Sequence, residues 1–212
     1  MPDTTFPAPE RRSGLTSQYV AGTFGAATDA TDLTLQERRP LGVFHLAIRD
    51  GGHDTIKEAG KAFGLDLPSS VGTSVSMGGR TALSIAPNTW LLTNNNVAHE
   101  EDSGKQADAL ADAVKEAGAV NDVSQGRCVL RVDGLKSRDV LGKFCMLDLH
   151  PNAFAADACA TSQMAHVAVT IRRVGDGNAF DLFVSRGFSQ HFWEALTHAA
   201  GEYGYQVLEA GL

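Results

Sequence analysis

Apolar residues in this chain fall into short runs of two periods, and the switching between them sets the order of the elements. From Leu33 a strand pattern runs through Leu41, Val43, His45 and Leu46 to Ile48 and is closed by Asp50-Gly51-Gly52. Ile56, Ala59, Gly60 and Phe63 then share a helical face over Asp54–Phe63, with Gly64 placed as the C-cap. Strand patterns follow at Ser70–Met77, Thr81–Ile85 and Thr89–Thr93, the first two joined by the tight-turn pair Gly78-Gly79. Leu110, Ala113 and Val114 mark a helix over Lys105–Ala117, ended by Gly118.

The second half repeats this order. A strand over Cys128–Val132, set between Ser124-Gln125-Gly126 and Asp133-Gly134, leads to a helix over Lys136–Lys143 with Ser137 as its N-cap. Strands near Met164–Arg173 and Phe180–Ser185 follow, then a helix over Ser189–Tyr203 with Phe192, Trp193, Leu196 and Ala200 on one stripe. The loops after the first helix of each half echo one another, KAFGLDLP from Lys61 and KFCMLDLHP from Lys143. Together these features predict an α+β protein built as two β-α-β-β-α pseudo-repeats packed together. The expected units are a first subdomain over 33–119 and a second over 120–212.

Residues 1–32 are rich in Pro, Ser, Thr, Gly and Ala and show no sustained period. Leu15, Tyr19, Val20 and Phe24 are apolar residues that a solvated tail does not need. Two readings stand: a flexible tail, or an extended arm ordered against a partner subunit.

Charge and composition narrow the function classes. A chain of 212 residues with 43% hydrophobic content can bury a core, and a formal charge of -7 argues against a nucleic-acid surface. Arg11-Arg12, Arg38-Arg39 and Arg172-Arg173 read as isolated basic pairs on solvated or partner-facing surface. Three cysteines, Cys128, Cys145 and Cys159, share no C-x-x-C spacing, so a reducing, cytoplasmic setting is expected, with Cys128 and Cys145 as buried thiols. No apolar run reaches the ~18 to 20 residues of a membrane span, so no membrane partner is expected.

Motifs for chemistry are sparse. There is no G-x-G-x-x-G, Walker-type loop or G-x-S-x-G elbow, and Gly51-Gly52 before Asp54 is the one candidate anion cradle, read as an ordinary strand-to-helix turn. The seven histidines do not pair at i, i+4 spacing on a helix. Asp148 and His150 form the nearest approach to a dyad: acid–base or ligand chemistry is one reading, and a loop bond from Asp148 with His150 packed before Pro151 is the other. Asp66 and Pro68 at the matching place in the first half favour the loop reading.

DVSQGRCVLRVDGL from Asp122 and LDLHPNAF from Leu147, with ALSIAPNTWLL from Ala82 and FDLFVSRGFSQHFWEAL from Phe180, resemble the gamma subunit of heterotetrameric sarcosine oxidase. The resemblance implies a fold like the T-protein, the folate-binding aminomethyltransferase of the glycine cleavage system, without that protein's further C-terminal barrel. It implies a complex that converts sarcosine to glycine, peroxide and methylenetetrahydrofolate, with FAD, FMN, NAD, zinc and tetrahydrofolate held by alpha, beta and delta subunits. The gamma chain itself then carries no cofactor, metal or catalytic residue and contacts principally alpha. Arg127, Asp148, His150 and Arg186 lie in the matching motifs without an evident core role and are the expected interface residues. The competing expectations are a stand-alone folate-binding or one-carbon-transfer protein, and the gamma subunit of an oxidase for another N-methyl amine.

Overall fold

Alternation along each strand sorts side chains onto opposite faces, and this divides the protein into layers. The computed structural model describes residues 12–26, 32–49, 52–95 and 103–211. Residues 1–11 and 27–31 of the expected arm, and Gly51 of the candidate cradle, lie outside them. A five-stranded sheet has the order β4-β5-β6-β3-β7, formed by Ser74–Met77, Arg80–Ala86, Thr89–Asn94, Gly42–Ile48 and Gly118–Asp122. A seven-stranded sheet has the order β1-β12-β2-β8-β11-β10-β9, formed by Gly22–Phe24, Tyr205–Val207, Thr34–Arg38, Arg127–Asp133, Ala179–Ser185, Val167–Val174 and Cys159–Met164.

Helices cover the outer face of each sheet. Helices α1 (His53–Phe63) and α2 (Ser103–Val114) bury Phe63, Leu110 and Val114 against Phe44, Leu46, Trp90 and Leu92 of the smaller sheet. Helices α3 (Ser137–Gly142) and α4 (Ser189–Ala200) bury Val140, Leu141, Phe192 and Leu196 against Leu130, Val132, Phe180 and Leu182 of the larger one. Between the sheets lies a third cluster of Val43, Leu83, Leu91, Val129, Cys159 and Phe183. The result is a helix–sheet–sheet–helix stack, with each apolar face removed from water.

The mixed α+β class holds, while the unit is larger than expected. Each half runs β-α-β-β-β-α-β, from β3 to β7 and from β8 to β12, and the orders β4-β5-β6-β3 and β9-β10-β11-β8 correspond. The two echoing loops have the same packing: Leu65 and Leu67 join the first helix-side core, Leu147 and Leu149 the second, and Asp66 and Asp148 between them are exposed.

Several boundaries differ from the sequence reading; the strand expected near Met164–Arg173, for one, is two antiparallel strands, β9 ending at Met164 and β10 starting at Val167. The run from Leu33 to Ile48 is two strands in different sheets, because Pro40 has no N–H to continue a ladder; Arg39 N–H donates to Gly211 O and Leu41 N–H to Asn94 O. Strands β1 and β2 therefore belong to the sheet of the second half, and β7 spans the expected division at 119/120. Ser137 is the first helical residue and not an N-cap: its hydroxyl turns back to donate to Gly134 O at 2.8 Å.

The stretch 12–26 packs on its own chain. Leu15 is fully buried in the larger core, the Tyr19 ring meets Trp193 at 5.2 Å, and β1 pairs antiparallel with β12. Phe24 stacks on Tyr205. Leu15 and Tyr19 of this stretch are thus packed within the subunit, whereas Val20 and Phe24 remain exposed.

Candidate functional site: an arginine cleft at the corner of the two sheets

The DVSQGR segment forms a locked turn between β7 and β8. The Asp122 carboxylate accepts from Ser124 N–H at 2.9 Å and from the Ser124 hydroxyl, whose oxygen in turn accepts from Val43 N–H at 2.8 Å. Gly126 O then accepts from Arg186 N–H at 3.0 Å, and Arg127 Nη1 donates to Ser185 Oγ at 2.9 Å. The two motif arginines, 59 residues apart in number, are therefore held at one corner by backbone and side-chain bonds.

Three more arginines reach the same corner. The end of β2 brings Arg38, the link to β3 brings Arg39, and the loop before β1 brings Arg12. The close approach of this loop requires Gly14, since a Cβ there would lie 2.4 Å from Ser189 Oγ and 3.1 Å from Arg186 Cγ. Together they line a cleft of about 60 Å³ in which Glu37 is the one carboxylate among the described lining residues. Glu37 is buried and already engaged: Arg39 donates twice to Oε2, at 2.9 and 3.1 Å, and the Ser13 hydroxyl donates to Oε1.

Beside it, and sharing Arg38 and Pro40, is a second polar cavity of about 50 Å³ between the sheets. Arg131 grips Asp181 with two bonds, and Arg172 reaches Ser74 Oγ and Asp157 Oδ1 at 2.8 and 2.9 Å, so these groups tie strands together. Burial, and then the neighbouring Arg131, push the Arg38 pKa down.

Other titratable groups have structural surroundings. Burial, then Glu37, pushes the Cys128 thiol up to about 12, and burial pushes Cys159 up to about 11 and raises Cys145. Such thiols are poor nucleophiles at neutral pH. All three cysteines are buried and unbridged, as expected for Cys128 and Cys145. Among the described residues no group of three or more His, Cys, Asp or Glu gathers as a metal site, and no helix is long and apolar enough to cross a membrane.

The four expected interface residues do not form one patch. Arg127 and Arg186 converge, whereas Asp148 and His150 lie on the exposed loop after α3 and do not line the cleft. There Asp148 Oδ1 accepts from His150 N–H at 2.9 Å and His150 Nδ1 accepts from Asn152 N–H at 3.2 Å, the local loop bonding that was one of the two readings. Sequence reasoning missed Arg12, Arg38 and Arg39 as members of the cleft; the doublets were visible, their convergence was not.

Two sheets face to face between helix layers define the class as a four-layer α+β fold. Glycine cleavage system aminomethyltransferase T from Bartonella henselae superposes with a TM-score of 0.59 over 85% of this chain and 48% of that chain, at 13% identity, a likeness of fold. A family model described as the sarcosine oxidase, gamma subunit family matches residues 51–202, and the chain belongs to that family. It is 30% identical over 144 residues to sarcosine oxidase subunit gamma of Corynebacterium sp. (strain U-96), covering 67% of each chain. The subunit from Corynebacterium sp. (strain P-1) is 30% identical over 154 residues, covering 72% of this chain and 71% of that one. A chain of the heterotetrameric sarcosine oxidase from Corynebacterium sp. U-96, solved with pyrrole 2-carboxylate, superposes with a TM-score of 0.74 at 26% identity, over 91% of this chain and 96% of that chain.

Proposed function

We propose that this chain is the gamma subunit of a cytoplasmic heterotetrameric sarcosine oxidase and acts in it as a folded assembly block without a cofactor of its own. The observation that carries this reading is the near-complete mutual coverage with a chain of a solved heterotetrameric sarcosine oxidase. The chemistry belongs to the other subunits: flavin oxidation of sarcosine with FAD and FMN, capture of the methylene by tetrahydrofolate, and NAD and zinc elsewhere in the assembly. Alpha is the principal partner, and Arg127, Arg186, Asp148 and His150 lie on surfaces that meet partners. The corresponding strand orders of the two halves are read as an internal duplication into which β2 has been inserted. Buried, high-pKa thiols and an engaged Glu37 support a structural part for this chain.

The test is an affinity pull-down of the tagged chain from its native cells, followed by the native mass, visible spectrum and peroxide production of what is recovered. Flavin absorbance, co-purifying subunits and sarcosine-dependent peroxide are expected. A colourless lone chain that binds folate would overturn the reading.

A further inference from the structure

We infer that the outer edge of β4 takes an extended strand from another subunit, an inference that rests on the assembly reading above. Strand β4 is a terminal strand of the five-stranded sheet and is paired with β5. Ser84 N–H donates to Thr73 O across that pair, so by alternation Val75 and Met77 turn their backbone groups to β5 while Ser74 and Ser76 turn theirs outward. Ser74 N–H is met there by Asp157 O at 2.8 Å, and the Ser76 N–H and C=O form the next outward pair. Outward donors and acceptors of this kind are a template for a further strand.

Side chains single out this edge. Val75 and Met77 lie with Ala82 and Arg80 on the helix side of the sheet, yet they are 40% and 64% exposed, and Val71 just before β4 is 52% exposed. Ser74–Met77 holds no charged residue or proline of the sort that shields an edge from pairing. The other terminal strands differ: β7 ends on Asn121-Asp122, β9 exposes Thr161 and Gln163, and Phe24 of β1 is already stacked on Tyr205.

Arg80 sets the chemistry of the occupant. It is the register partner of Met77 and lies over the cap of α1, where a Cβ on Gly64 would come 3.3 Å from its Cζ. Its Nε is buried without a hydrogen-bond partner, and no carboxylate pairs with it among the described residues. The guanidinium therefore stands beside the apolar pair without a counter-charge. The strand that fits this edge carries apolar side chains against Val75 and Met77 and a carboxylate for Arg80.

The experiment measures retention of the other subunits by the complete co-expressed complex carrying Ser76→Pro, Arg80→Glu or Ala119→Lys, with amide hydrogen exchange over 74–77 in the complex and in the free full chain. Proline removes the outward N–H of Ser76 and no bond to β5, and Ala119 is exposed on β7 at the opposite edge of the same sheet. Ser76→Pro and Arg80→Glu are each expected to weaken retention about tenfold and Ala119→Lys to leave it unchanged, while the Ser76 amide exchanges about tenfold more slowly in the complex. Arg80→Glu keeps the test independent of any effect of the proline on folding. Unchanged retention with Arg80→Glu, equal weakening by Ala119→Lys, or equal exchange of the Ser76 amide in both states overturns the edge while leaving the assembly reading intact. A homodimer of the free chain that Ser76→Pro dissolves would assign the edge to a second copy and overturn the partner strand. If the wild-type chain recovers no other subunit, both readings fall.

Discussion

Arg131 and Asp181 are register partners across β8 and β11, and one guanidinium takes both carboxylate oxygens, at 2.8 and 2.9 Å. The Asp181 side chain is only 9% exposed, and Arg172 Nη1 lies 3.7 Å from the same carboxylate. Asp181→Asn therefore leaves the Arg131 and Arg172 charges between the sheets with their shared counter-charge removed. The expected loss is about 3 kcal/mol, as for a buried pair broken on one side. Urea unfolding followed through Trp90 and Trp193, one in each helix-side core, measures it; Arg131→Met combined with Asp181→Asn should recover part of the loss. A midpoint unmoved by Asp181→Asn would remove the pair from the account of stability.

The stretch 12–26 is a stabilising part of this fold. Leu15 is wholly buried, so Leu15→Ala should cost about 2–5 kcal/mol. The Tyr19 hydroxyl donates to Leu208 O and accepts from Glu37 N–H, joining this stretch to β2 and to the segment after β12. Tyr19→Phe leaves both backbone groups without that partner and should cost about 1–3 kcal/mol. Truncation through residue 26 should lower the melting temperature before any partner is added. If the truncated chain melts as the full chain does, the packing of Leu15 contributes nothing.

Local period and turn chemistry made the four helices and most central strands legible. Gly64 as an αL cap and the Gly78-Gly79 hairpin, with both residues at positive φ, follow from backbone sterics that any reader of the sequence can apply. What escaped was decided by distant pairing. Strands β1 and β12 have only three residues each and gain their strand character from one another and from β2. The change of sheet at Pro40 depends on where Gly211 and Asn94 fall, positions no local window contains. For the same reason Arg12 and the Arg38-Arg39 doublet look solvated one segment at a time and form a cleft only after folding.

The thiols supply a chemical prediction. With pKa values of about 12 for Cys128 and about 11 for Cys159, the thiolate fraction at pH 8 is on the order of 10⁻⁴ to 10⁻³. Cys128 donates weakly to Glu37 and Cys159 to the carbonyls of Thr73 and Ser84. A disulfide reagent at pH 8 should therefore label native protein at a small fraction of the rate seen in urea. Rapid stoichiometric labelling of the native protein at Cys128, with the fold intact, would contradict this environment.

His45 makes stability depend on pH with a determined sign. It lies on the inner face of β3, where burial first and the Arg127 charge second lower its pKa below the ordinary histidine value. Above the unfolded-state pKa of about 6.5 the ring is neutral in both states and costs nothing. As pH falls through that value the unfolded chain takes up a proton that the folded chain resists, so stability is lost until the folded pKa is reached. Wild-type protein should lose stability relative to His45→Gln between pH 7 and 5, with the gap closing or reversing in that window. Arg127→Met should raise the His45 pKa, visible in the imidazole NMR titration, and soften the loss. A wild-type advantage that grows on acidification would have the wrong sign and would place His45 beside a carboxylate instead.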